Sequence, residues 1–329
     1  MSAVAVLCAV AMLAGVGEAR APRRLTDPDL DAALVIDAKT GSVLYARNEA
    51  APRHPASLTK MMTLYLLFER LRQGRITLAT PIAVSAHAAQ QPRAHLRLRE
   101  GSAIPVATAI QAIIVCSAND AAVAVAEALG GTEPRFSAMM NAKARQLGMA
   151  HSFFHNATGL PDEQQLTTAA DLSILARHLV YDFPEYFPYF ALRQMSWHGE
   201  DFTTHNGLIG NYAGADGIKT GYIDASGYNL VGTAARGKTR LIAIVMGGLT
   251  PESRDAATIG LLDETFDGLA AGKLRLPSIP MTSPVHPHAM AVRPRAVAQP
   301  VNGTAIMIVA AAVLIEPGLG LLLVSAVAV

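Results

Sequence analysis

HPASLTKMMTLYLLFERLRQG, residues 54–74, is the stretch from which the rest of the chain can be read. Ser57 and Lys60 are three positions apart, so on a helix they share one face, a turn apart. Residues 58–73 are good helix material and Gly74 supplies a stop signal. Leu64, Leu67 and Leu71 continue the Ser57/Lys60 stripe, while Leu58, Met61, Met62, Tyr65 and Phe68 cover the other faces. A helix apolar nearly all round is expected to be buried. A lysine at the start of a buried helix is costly unless it is paired or used. Beside a hydroxyl, it fits an activated nucleophile.

Outward from this helix, residues 32–37 (AALVID) and 42–46 (SVLYA) flank Ala38-Lys39-Thr40-Gly41 as strand, turn and strand. Ile82 to Val84 reads as a short strand, and Pro105 suits the first turn of a helix running to about Cys116. Residues 119–129 form a small-residue helix closed by Gly130-Gly131, Pro134 opens another to about Leu147, and Thr168 caps a helix near 169–180. Residues 228–235 and 239–247 are apolar strands joined by Arg236-Gly237-Lys238, a hairpin signal, and 251–269 form a last helix. Strands at both ends with helices between them imply an α/β (α+β) fold: an antiparallel sheet built from the two ends, carrying a mostly helical insertion.

The 329 residues carry a net charge of +1, which leaves no electrostatic footprint for nucleic acid. Residues 1–21 are an apolar run ending in small residues and read as a secretory signal peptide, although they lack a positive n-region. The expected location is therefore outside the cytoplasm, in the periplasm or on the outer face of the cytoplasmic membrane. After cleavage only Cys116 remains, so no internal disulfide is expected. A catalytic domain is expected over 22–271. Residues 272–300 hold six prolines and read as a linker, and the apolar tail 301–329 reads as a membrane anchor, interrupted by Glu316-Pro317-Gly318.

Three further segments go with Ser57 and Lys60. Ser117-Ala118-Asn119 lies at a junction of two helices, 60 residues after Ser57. Lys219-Thr220-Gly221 comes 102 residues after Ser117, just before the C-terminal hairpin, and Arg254 opens the last helix. Each motif alone is weak: Lys39-Thr40-Gly41 is a second copy with no partner motif. Their order and spacing together match the signature shared by penicillin-binding proteins and serine β-lactamases.

PASLTKMMT, SAND, DGIKTGY and the stretch GYNLVGTAARGKTRLIAIVMGG resemble the serine D-alanyl-D-alanine carboxypeptidases, the low-molecular-mass penicillin-binding proteins of peptidase family S11, over roughly residues 25–268. The phrase NATGLP, residues 156–161, is similar to a loop common in that family. The resemblance implies a DD-peptidase/β-lactamase-like fold, no cofactor and no metal. It implies peptidoglycan stem peptides ending in D-Ala-D-Ala as substrate and β-lactams as inhibitors. Ser57 would attack the carbonyl between the terminal D-alanines and Lys60, as a neutral amine, would take its proton. Ser117 would relay the proton to the leaving amine, and Asn119 would hold the peptide and position Lys60. The backbone N–H groups of Ser57 and Tyr222 would form the oxyanion hole, Gly221 would let a substrate strand approach, and Lys219, Thr220 and Arg254 would bind the terminal carboxylate.

The sequence departs from the family in having no room after residue 271 for its common β-rich second domain, and in carrying His205 where some relatives have a basic residue or threonine. A serine β-lactamase of the same fold is the nearest rival, with Glu163 the one nearby carboxylate for activating water. A catalytically silent peptidoglycan-binding protein is disfavoured because every reacting group is present. His151 and His155 lack the acidic partner that a metallopeptidase template requires.

Overall fold

The computed structural model describes residues 24–276. The expected signal peptide, most of the proline-rich linker and the apolar tail lie outside the described residues. Among the described residues no helix is long and apolar enough to cross a membrane.

The chain enters as β1 (Ala32–Asp37) and returns antiparallel as β2 (Val43–Arg47). A single 3₁₀ turn, Ala56–Thr59, runs into α1 (Lys60–Arg72). β3 (Pro81–Ala83) leads to the short α2 (Ala86–Ala89) and pairs with β4 (Ala103–Pro105), which opens α3 (Val106–Gln111). The helix expected to run unbroken to Cys116 instead widens into a π-type turn over Ala112–Cys116. Ser117, in the left-handed region at φ 57°, ends it. Then come α4 (Asn119–Gly130), α5 (Glu133–Leu147, capped by the Thr132 hydroxyl) and α6 (Ala169–Asp182, capped by Thr168). A small hairpin of β5 (Gln194–Trp197) and β6 (Glu200–Thr203) follows, then β7 (Ala215–Ile223), β8 (Gly227–Arg236), β9 (Thr239–Gly248) and α7 (Pro251–Ala270).

The five-stranded sheet has the order β2-β1-β9-β8-β7 and is antiparallel throughout. Its N-terminal strand is thus sandwiched against the C-terminal hairpin, as the placement of strands at the two chain ends implied. Alternation along each strand divides the core. Leu34, Ile36, Val231, Ile242, Ile244 and Met246 face the cluster that includes α1, α4 and α6. Val35, Leu230, Ala234, Leu241 and Ala243 face Leu262 and Phe266 of α7. The sheet is therefore covered on both faces, which defines the α/β architecture and leaves β7 as an edge.

α1 runs through the larger cluster: residues 60–68 and Leu71 are all buried. Phe68, fully buried, meets Phe183 and Phe190 edge-on at 5.6 and 6.1 Å between centroids and stacks on Tyr186 at 5.2 Å. Phe68→Ala is expected to cost about 3–5 kcal/mol of unfolding free energy, read from urea denaturation, because four packed rings cannot close the space.

Candidate active site

Ser57 sits in the 3₁₀ turn, not in α1 itself. Side chains three apart eclipse in a 3₁₀ turn. Lys60 Nζ accordingly lies 2.9 Å from Ser57 Oγ. It lies 2.7 Å from Asn119 Oδ1 and 2.6 Å from the carbonyl oxygen of Thr158. The latter two atoms can only accept. A neutral amine has two N–H bonds and one lone pair, so donating to both acceptors leaves the lone pair for the Ser57 hydroxyl. Lys60 is fully buried, and burial, reinforced by the nearby Lys219 charge, holds its pKa well below that of an ordinary lysine. Geometry and electrostatics both favour the base form.

Asn119 is fixed from behind. Its Nδ2 donates to the carbonyls of Pro92 and Arg93 at 3.0 and 3.1 Å. Both amide hydrogens are thereby engaged, so Asn119 is placed to orient Lys60 and has no free donor for a peptide, unlike the dual role expected of it. Asp120 ties the same segment down by accepting from Leu96 and Leu98 N–H groups at 3.0–3.1 Å. The Ser117 hydroxyl is buried with no hydrogen-bond partner among the described residues, and it lines the cleft that contains Ser57. A buried hydroxyl left unpaired is costly, and a bound substrate's polar atom would satisfy it.

β7 forms the opposite wall. A Cβ at Gly221 would stand 3.0 Å from the Pro55 carbonyl oxygen and the Ser57 nitrogen. The close approach that requires glycine is thus to the turn carrying the nucleophile, not to a substrate strand. Thr220, Gly221 and Tyr222 line the cleft, whose volume is about 500 Å³. Lys219 does not line it; it is buried, with Nζ donating to the Thr220 carbonyl at 3.0 Å. Its pKa is lowered to about 7 by burial and by the Arg254 charge. Its expected direct grip on a carboxylate therefore becomes an electrostatic contribution from behind the wall.

Arg254, 3% exposed, reaches the cleft from the first turn of α7. Its Nε donates to Asp255 Oδ1 at 2.9 Å and Nη2 donates to the His205 carbonyl at 3.1 Å. That leaves other guanidinium N–H groups for a ligand. His205 shares this end of the cleft; enclosure, then the Lys219 and Arg254 charges, keep its pKa below the usual imidazole value. Glu163 is exposed and does not line the cleft. His151 and His155 fall in the loop after α5, where His155 Nδ1 lies 3.4 Å from Asp162.

Three contributors escaped the sequence reading. The Thr158 carbonyl is one, because any residue has a carbonyl and only the fold aims it. Its loop is shaped by Asn156 Oδ1, which accepts from the Thr158 and Gly159 N–H groups at 3.2 and 2.7 Å. Asp255 and Arg93 are the others; neither belongs to a recognisable motif.

A buried lysine holding a serine hydroxyl at the mouth of a cleft between an antiparallel edge strand and a helical region defines a serine acyl-transfer site of the DD-peptidase and β-lactamase class. The model of the D-alanyl-D-alanine carboxypeptidase family (peptidase S11) matches residues 19–250, and the chain belongs to that family. It is 35% identical to D-alanyl-D-alanine carboxypeptidase DacF of Bacillus subtilis, over 71% of this chain and 61% of that protein. Its fold is similar to penicillin binding protein 5 from Haemophilus influenzae (TM-score 0.71, 31% identity, covering 75% of this chain and 72% of that one). It is also similar to Penicillin-Binding Protein D2 from Listeria monocytogenes, solved in an ampicillin-bound form (TM-score 0.63, 30% identity, 74% and 100%). The chain spans about six-tenths of the length of the curated relatives that it matches best.

Gly159 holds φ at +86°, and a Cβ there would run into the Ala56 carbonyl oxygen beside the nucleophile. Gly159→Ala is expected to cost about 2 kcal/mol or more in a denaturant titration, and to slow penicillin acylation in whatever protein remains folded.

Proposed function

We propose that this chain is a serine D-Ala-D-Ala carboxypeptidase that removes the terminal D-alanine from peptidoglycan stem pentapeptides. The carrying observation is Lys60, whose two hydrogens are claimed by Asn119 Oδ1 and the Thr158 carbonyl while its lone pair faces Ser57. Ser57 Oγ adds to the penultimate D-alanine carbonyl as its proton passes to Lys60. The oxyanion is received by the backbone N–H groups of Ser57 and Tyr222, each donor of this kind being worth about 2.7–4 kcal/mol. The proton then reaches the leaving nitrogen through Ser117, whose hydroxyl has no competing partner. Water hydrolyses the ester. No cofactor is needed at any step.

The terminal carboxylate is held by Thr220 and Arg254 at the cleft's cationic end, with Lys219 adding its field from behind. β-Lactams acylate the same serine. The rival reading as a β-lactamase needs a carboxylate on the deacylating water, and Glu163 stands outside the cleft. Exported placement, in the periplasm or on the outer membrane face, is part of the same proposal; it is supported by the apolar N-terminus ending in small residues and by a substrate that lies outside the cytoplasm. The apolar run at 301–329 supports attachment to the membrane.

Ser57→Ala is expected to abolish both D-alanine release and labelling by a fluorescent penicillin. Persistent D-alanine release in that variant would refute the mechanism. Wild type should hold the penicillin adduct for minutes or longer, whereas turnover in seconds would favour the lactamase.

The two lysines also set a pH profile. Protonation of Lys60 removes its lone pair, so kcat/KM falls as pH drops through its lowered pKa. Lys219 loses its charge as pH rises past about 7, weakening carboxylate binding, so kcat/KM declines on that side as well. Lys219→Arg, which cannot deprotonate, should move the alkaline limb to higher pH.

A further inference from the structure

The catalytic cleft does not end at Arg254 and His205. Arg93, Ala94 and His205 form walls both of this cleft and of an adjoining cavity of about 370 Å³. Arg97 and Glu200 in turn belong both to that cavity and to a third, of about 640 Å³. The three make one groove, running from Ser57 between residues 93–99 and the β5–β6 hairpin.

The groove has a distinct chemistry. Arg97 reaches Glu200 across it at 3.1 Å, an ion pair exposed on both sides and hence weak. Arg93 and Arg99 line it and form no ion pair among the described residues. Trp197, half-buried, offers an aromatic wall at the far end, packed edge-on to His198 at 4.3 Å between centroids. Uncommitted guanidinium groups with an aromatic face suit a peptide that bears carboxylates.

Direction decides what would lie there. On the carboxypeptidase reading, on which this inference rests, the leaving residue places its α-carboxylate against Thr220 and Arg254. The groove departs from beside His205 at that same end. A leaving residue could keep its carboxylate in place and send its side chain along the groove.

We propose that the groove is a leaving-side subsite for a branched, acidic peptide: a D-amino acid with a free α-carboxylate whose side chain carries further carboxylate-bearing residues. The activity it adds is cleavage of an amide whose nitrogen belongs to such a branch. Ser57 Oγ forms an ester with the acyl half as the C–N bond breaks. The serine proton passes by way of Lys60 and Ser117 to the departing nitrogen, releasing the branched amine. Water then cleaves the ester, giving a carboxylic acid and restoring Ser57.

Trp197 is the only tryptophan in the chain, so its emission reports the groove. The probe is D-lysine carrying glutamate on its side-chain amine, titrated into the full-length Ser57→Ala protein. A saturable change in emission is expected, weakened about tenfold by adding Arg99→Ala, a substitution remote from the reacting groups. No saturable change, or equal affinity with and without Arg99, overturns the subsite. Two substrates with the same acyl half, one releasing D-alanine and one releasing the branched probe, then test the activity in wild type. Cleavage of both, with Arg99→Ala losing about tenfold in kcat/KM on the branched substrate alone, supports the proposal. Release of D-alanine only overturns it and leaves the carboxypeptidase reading standing. Release of neither overturns both.

Discussion

A lysine amine withdrawn from water is the constraint around which this protein is built. Lys60 is fully buried, and in that environment its charged form is penalised by desolvation and by the neighbouring Lys219 charge. The neutral form needs two acceptors and one donor around it. The fold brings these from three separate parts of the chain: Ser57 from the turn before α1, Asn119 from the head of α4 and the Thr158 carbonyl from the loop after α5. None of the three would serve without the others. Two acceptors without the serine would leave an unused lone pair, and a serine without the acceptors would leave the amine free to turn away.

The rest of the structure holds that arrangement in place. α1 is buried nearly all round, so it cannot rotate Lys60 away from Ser57. Asn119 is anchored through its other amide end to Pro92 and Arg93. Asp120 binds the Leu96 and Leu98 N–H groups, pinning the same segment to α4. Gly159 and Gly221 are absent side chains where two backbones must press against the nucleophile's turn. The second lysine has its own setting: buried Lys219 beside Arg254 concentrates positive charge behind one end of the cleft, where an anionic group would be attracted and where Lys60 is further discouraged from protonating.

Local pattern made much of this legible. Alternation and turn chemistry located β1, β2, β8 and β9, and hydroxyl caps located the start of α6. Polar alternation hid the β5–β6 hairpin: QMSW and EDFT show only one buried residue between them, so no apolar stripe marks them as strands. The break in the helix at Ala112 was equally silent, because residues 112–116 are apolar and fit an unbroken helix as well as a π-type turn. Yet that turn ends with Ser117 in the left-handed region, its hydroxyl at the cleft.

The sequence by itself determined the identities of the reacting groups. Ser57, Lys60, Ser117, Asn119 and the Lys219-Thr220-Gly221 run carry chemistry that no other residue types supply, and their spacing is a property of the chain alone. Tertiary structure decided what each group faces. Only the fold could assign a carbonyl at Thr158 to the base, turn Asn119 wholly toward orienting that base, withdraw Lys219 behind the cleft wall and spend Gly221 on contact with the nucleophile's own turn. The reason is physical. A side chain's chemistry is carried by its atoms, but its pKa, its free hydrogen bonds and its reach depend on neighbours distant in sequence, and those exist only once the sheet has closed and the helices have packed against it.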